Sequence, residues 1–219
     1  MLEGIAIIDK PKRITSHDVV DRVRRKFKIK KVGHAGTLDP LATGVLVLLI
    51  GKATKLSSKF IGFDKAYDAT LILGTETSSA DTEGKIIKQS SFDNITEQQV
   101  KDTFESFVGK IQQVPPMVSA VRHKGRKLYE LARKGIEVQR AARDIEIYSL
   151  VLNKMNSPYV EFSLECSKGT YVRQLAEDVG KKLGCGACIS QIRRTKVGEF
   201  KIEEAVSLEE LNESSIRKF

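Results

Sequence analysis

Asp39 is set in His34-Ala35-Gly36-Thr37-Leu38-Asp39-Pro40-Leu41-Ala42-Thr43-Gly44, directly before Val45-Leu46-Val47-Leu48-Leu49-Ile50, the most apolar run of the chain. Glycines at 36 and 44 allow backbone angles that a side chain would forbid. Pro40 removes a donor and pushes Asp39 towards extended geometry. These residues predict a carboxylate on an irregular loop anchored by a rigid core strand. An ionised, aimed carboxylate is a nucleophile. A Gly/Pro turn with a capping aspartate would explain the same residues without chemistry. Arg173 is the second candidate. It falls in the first turn of an expected helix, where a cation opposes the helix dipole. A partner carboxylate would account for it, with Asp39 the natural candidate, and such a pair would hold the carboxylate in one rotamer.

Several elements must position these groups. Gly4 to Ile8 reads as a short buried strand that Asp9-Lys10-Pro11 ends. Thr15 or Ser16 offers an N-cap for a helix to about Phe27, with Val19, Val20, Val23 and Phe27 on one face and Arg22, Arg24, Arg25 and Lys26 on the other. Thr54 to Ile61 reads as a short helix. Tyr67, Ala69, Leu71 and Leu73 alternate as the inward face of a strand over Lys65–Gly74. Thr96, with Gln99 three residues on, predicts a capping box for a helix to Val108. Arg143 to Leu152 and Tyr159 to Cys166 alternate as strands around an Asn156-Ser157-Pro158 turn. Thr170 is expected to cap a helix to Gly184, with Val172, Leu175, Val179 and Leu183 inward, and Ser207 to Leu211 reads as a short capped helix.

Composition narrows the class. The 219 residues suffice for one large domain or two small ones, and 41% hydrophobic content is ordinary for a globular protein. No run reaches the roughly 18 apolar residues of a membrane span. Met1-Leu2-Glu3-Gly4 lacks a basic, apolar leader, so residence in the cytoplasm is expected. The three cysteines, Cys166, Cys185 and Cys188, are odd in number; Cys185-Gly186-Ala187-Cys188 lacks a second ligand pair, so no metal is expected. A net charge of +9 favours a polyanion such as nucleic acid, with bases clustered at Arg22–Lys31, Arg122–Lys134 and Arg193–Lys196. There is no P-loop and no dinucleotide fingerprint, and no cofactor is expected.

The Asp39 segment resembles the signature of the TruB family of tRNA pseudouridine synthases, G-H-[TA]-G-[TA]-L-D-P-x-A-x-G-x-L. Four further stretches carry the likeness. Asp9-Lys10-Pro11…Thr15-Ser16 is similar to D-K-P-x-G-x-T-S, with Arg13 where the family has Gly. Residues 115–135 are similar to the insertion P-P-x-x-S-A-[IV]-[RK]-x-x-G-x-[RK]-L-Y-x-L-A-R-x-G, with Val118 where many members have Tyr. Cys166 to Arg173 follows C-S-x-G-T-Y-[IV]-R, and Gly184 to Arg194 follows G-x-G-A-x-[LV]-x-x-L-R-R.

The resemblance implies the pseudouridine synthase fold: α/β (α+β), a curved, mixed but mostly antiparallel sheet flanked by helices. It implies one catalytic domain over 1–219, a thumb-like insertion at about 113–143 and a short C-terminal remnant at 198–219 without a PUA domain. It implies isomerisation of uridine 55 in the tRNA T-loop by base flipping. Asp39 is then the nucleophile and Tyr67 stacks on the uracil. Ile192 and Tyr171 shape the pocket, His34 enters the RNA loop, and Arg173 serves the substrate. Asp81, in a D-x-x-G match with Gly84, and Lys10 support the site. The expected partner is the T-arm of tRNA, with no guide RNA, no membrane and no obligatory protein partner, the chain acting as a monomer. A non-catalytic tRNA-folding chaperone on the same fold is the alternative.

Overall fold

The computed structural model describes residues 2–218. In chain order its elements are β1 (Gly4–Lys10), α1 (Ser16–Phe27), β2 (Val32–Ala35), β3 (Thr43–Ile50), a 3-10 turn at Gly51–Leu56, α2 (Ser57–Ile61), β4 (Lys65–Leu73), β5 (Thr75–Thr77), β6 (Ile86–Gln89), α3 (Glu97–Glu105) and β7 (Gly109–Gln113). Then come β8 (Arg122–His123), β9 (Arg126–Lys127), α4 (Leu128–Ala132), β10 (Arg143–Asn156), β11 (Tyr159–Cys166), α5 (Val172–Leu183), β12 (Ala187–Val197) and β13 (Phe200–Lys201). The mixed, mostly antiparallel sheet with helices is the class expected from the sequence. The chain divides into two compact units, Met1–Asp68 with Ile192–Phe219, and Ala69–Gln191.

In the first unit β3 is central. β1 pairs antiparallel along its length, Gly4 opposite Ile50 and Lys10 opposite Gly44. β2 pairs antiparallel near its end, and β12 runs parallel near its start, Arg194 opposite Gly44. An uninterrupted apolar run is what a strand buried on both faces requires, and Val45 to Ile50 are all fully buried. One face packs Ile5, Ile7, Val45, Val47 and Leu49 with Phe60, Val197 and Phe200. α1 opens with a full capping box, Thr15 with Asp18, and ends with Lys28 in the left-handed region. The C-terminal stretch lies along the free edge of β1, exchanging backbone hydrogen bonds between Ile5 and Arg217 and between Val206 and the Ile7–Asp9 stretch. This covers an edge that would otherwise expose unpaired backbone groups.

In the second unit the strand order is β4-β11-β10-β7. β10 and β11 form a long antiparallel hairpin, and the register slips at Tyr148 and Asn153, one extra residue each. Phe104 of α3 meets Phe162 of β11 edge-on at 5.5 Å between ring centres. The basic insertion holds the β8–β9 hairpin, turned by Lys124 and Gly125 at φ 48° and 84°, the paired positive angles of a tight hairpin loop. α4 follows it, with Leu128 and Leu131 buried.

Four expectations need correction. The helix after Thr96 stops at Glu105, because turns over 106–108 lead into Gly109 at φ 102°. The 54–61 helix starts earlier, as a 3-10 turn from Gly51. Ser207 to Leu211 is a single turn closed by Leu211 N–H on the Ser207 carbonyl. Thr170 does not cap α5: its hydroxyl donates to the Ser167 carbonyl, and Tyr171 takes the cap position.

Candidate active site

Asp39 stands half-buried on the 36–42 loop, and the first unit grips this loop from several sides. Leu38 N–H donates to Ser16 Oγ at 2.8 Å, while the Ser16 hydroxyl donates to the Leu38 carbonyl at 3.0 Å. One side chain thus closes both backbone bonds of the residue before Asp39, and Ser16 is 1% exposed. Arg13 N–H donates to the Pro40 carbonyl at 2.8 Å, and Ala42 N–H to the Asp39 carbonyl at 3.1 Å. Arg194, also 1% exposed, donates from Nε to the Val45 carbonyl at 2.8 Å and from a terminal nitrogen to the Gly36 carbonyl at 3.0 Å. Its strand approaches so closely that a Cβ on Gly44 would meet the Arg194 carbonyl at 2.2 Å, and Gly44 has φ 98°.

Arg13 occupies the place where the family pattern has glycine, and it adopts φ 70°. For a residue with a Cβ this angle carries a strain of about 1–2 kcal/mol. Lys10 is fully buried, and its ammonium donates to the carbonyls of Pro11 and Ile14 at 2.9 and 2.7 Å, closing this turn from inside. His34 lies on β2 opposite Leu48, half-buried, rather than on the loop itself. Tyr67 is buried on the inward phase of β4, as its alternation predicts. Ile192 is buried, and its carbonyl accepts from the Thr43 hydroxyl at 3.4 Å.

The second unit carries Asp81, Tyr171 and Arg173. Arg173 is 3% exposed, and its guanidinium bonds to the Ser79 carbonyl at 2.8 Å and the Val118 carbonyl at 2.7 Å, with Nε 3.6 Å from Asp81 Oδ2. Asp81 also accepts from the Ser79 hydroxyl at 2.5 Å and from Glu83 N–H at 3.1 Å. The carboxylate this unit supplies to Arg173 is thus Asp81, a pairing the sequence did not suggest. Buried charges persist when paired and hydrogen-bonded. Half-buried Tyr171 caps α5, and Gln113 bonds both its backbone groups: Tyr171 N–H donates to Gln113 Oε1 at 2.8 Å, and Gln113 Nε2 donates to the Tyr171 carbonyl at 3.1 Å.

Ser16, Gln113 and Arg194 were not singled out in the sequence as holding the site. A signal existed for Arg194, because consecutive arginines on a strand must face opposite sides. The basic cluster at 193–196 is accordingly less available than its count: Arg194 is core, and Arg193 pairs with Asp9 at 2.7 Å. All three cysteines are buried and none is in a disulfide, and burial pushes the Cys188 thiol up to about 11, with the charge of Asp81 adding to the effect. Among the described residues no group of three or more His, Cys, Asp and Glu is placed to hold a metal ion.

Comparison with known proteins places this geometry. A family model described as TruB family pseudouridylate synthase, N-terminal domain, matches residues 24–172. A second, described as tRNA pseudouridylate synthase B C-terminal domain, matches 173–218, so its boundary falls at Arg173. A protein of Clostridium tetani named tRNA pseudouridine synthase B is 48% identical over 218 residues, covering 100% of this chain and 75% of its own length. One of the same name from Geobacter sulfurreducens is 48% identical over 212 residues, covering 97% and 70%. Among solved structures, a chain in a Cbf5-Nop10-Gar1 complex superposes with a TM-score of 0.76 at 30% identity over 95% of this chain, which spans 53% of that chain's length.

Proposed function

The chain belongs to the TruB family of pseudouridylate synthases, and from that premise we propose that it converts uridine 55 in the T-loop of tRNA to pseudouridine. In this isomerisation the N1–C1′ bond breaks, a C5–C1′ bond forms, C5 loses its proton and N1 gains one. No electrons are exchanged and no co-reactant is consumed. Asp39 is the nucleophile. Tyr67 stacks on the extruded uracil, while Ile192 and Tyr171 line its pocket. His34 enters the RNA loop the base leaves, and Arg173 serves the substrate. Asp81 and Lys10 hold the segments that carry these groups. Extruding a stacked base costs a few kcal/mol, which binding of the folded loop must supply. The insertion over 113–143 grips the T-arm, and the chain acts as a monomer, without a guide RNA, in the cytoplasm.

The observation that best supports this reading is the Asp39 loop, gripped through the backbone of Gly36, Leu38, Asp39 and Pro40. That investment in aiming one carboxylate suits a nucleophile and is superfluous for a chaperone. The test is incubation of the purified chain with an unmodified tRNA transcript tritiated at uridine C5. Release of tritium, with pseudouridine mapped to position 55, is expected. Asp39→Asn should abolish release while leaving tRNA affinity unchanged; turnover by that variant would remove Asp39 from its role.

A further inference from the structure

We propose that Gln113 is a positioning residue for this reaction: it locks the start of α5, and with it Tyr171 and Arg173, to the root of the basic insertion. The inference rests on the pseudouridine synthase reading above. Gln113 is the last residue of β7 and the first of the insertion, and it is 2% exposed. Its amide has one acceptor and one donor end, and both are spent on the backbone of a single residue, Tyr171, 58 positions away. A buried amide used in this way fixes a backbone in both translation and rotation, since neither bond can be kept if the other geometry changes.

What is fixed matters because of where it lies. Tyr171 takes the cap position of α5 without a side-chain capping bond to the helix, and Gln113 holds this cap residue through its own N–H and carbonyl. Two residues on, Arg173 reaches back to the insertion through the Val118 carbonyl and across to Ser79 and Asp81. The first turn of α5 is therefore bolted to the insertion at two points, 113 and 118, five residues apart. A change in how the insertion root sits must be transmitted to Tyr171 and Arg173. Binding energy gained on RNA by the insertion can in this way be expressed as alignment of the residues that meet the base, which raises turnover rather than affinity.

The test compares Gln113→Glu and Gln113→Leu with the unaltered chain on C5-tritiated tRNA. Glu keeps an acceptor for Tyr171 N–H but sets a carboxylate oxygen against the Tyr171 carbonyl; Leu keeps bulk and removes both bonds. The Glu variant should lose about tenfold or more in kcat. Its KM, and the Kd for tRNA measured by filter binding, should stay within about threefold. Circular dichroism and a urea melt of each variant give the folded fraction. Unchanged kcat in either folded variant overturns the proposal. So does a loss of kcat accounted for wholly by unfolded protein, or one matched by an equal loss of tRNA affinity. If the unaltered chain releases no tritium, the functional reading itself fails, and that result is visible before any substitution is compared.

Discussion

Each unit holds the backbone beside one of its candidate residues with the same device, in different electrostatic surroundings. In the first, Ser16 closes both backbone bonds of Leu38; in the second, Gln113 closes both of Tyr171. The charge around them differs. The first unit carries 20 Lys and Arg against 13 Asp and Glu, a net +7. The second has 17 against 15, a net +2; residues 113–143 hold 8 of those cations and 2 of the acids, which leaves the rest of that unit at −4. The buried cations differ as well. Arg194 and Lys10 donate to carbonyls of their own unit, whereas Arg173 combines carbonyls with a carboxylate. A polyanion is thus attracted broadly by the first unit and through one appendage by the second, while backbone clamps hold Leu38 and Tyr171, the neighbours of the proposed catalytic groups.

The sharpest break of that comparison is Asp81→Ala. It leaves Arg173 buried without the carboxylate its own unit provides, and about 3–5 kcal/mol of stability should be lost. A urea titration reads this as a lower midpoint at unchanged slope. Ser16→Ala should cost less, about 1–3 kcal/mol for the unmet Leu38 groups. Tritium release should fall about tenfold with little change in KM. If Ser16→Ala lowers tRNA affinity instead, the clamp is not what aims Asp39.

Charge reversal separates the two surfaces. Lys124→Glu with Arg126→Glu, both exposed on the insertion, should weaken tRNA binding and flatten the slope of log Kd against log salt by about 1 for each phosphate no longer neutralised. Neutralising Glu161 and Glu165, exposed on β11, should leave that slope alone. Arg13→Gly should stabilise the first unit by up to ~1 kcal/mol, relief of the left-handed strain exceeding the entropy of the added glycine; a raised melting temperature checks it. The smallest effect is on thiols. With Cys188 pushed up to about 11, its thiol stays protonated at pH 8, and no cysteine should react with a disulfide reagent until the protein unfolds.

Local signals in the sequence carried far. The N-cap at Thr15, one of two candidates, the Thr96–Gln99 box, the alternation that buries Tyr67, and the Val45–Ile50 run all stand where the residues put them. Each depends on neighbours within a few positions. Thr170 misled because a hydroxyl two residues before a helix can bond backwards as readily as forwards. The run at Ser207 misled because its capping pair closes one turn with nothing to propagate it.

The glycine-flanked loop that carries Asp39, the basic run over 122–134 and the family were legible in the sequence, because residue type and short spacing specify turns, caps and faces directly. Tertiary structure alone decided that Ser16 grips Leu38 from 22 positions away, that Gln113 grips Tyr171 from 58, that Arg194 is core, and that Asp81 lies beside Arg173. Hydrogen bonds between distant segments depend on which strands pair and in what register, and no local pattern encodes that choice.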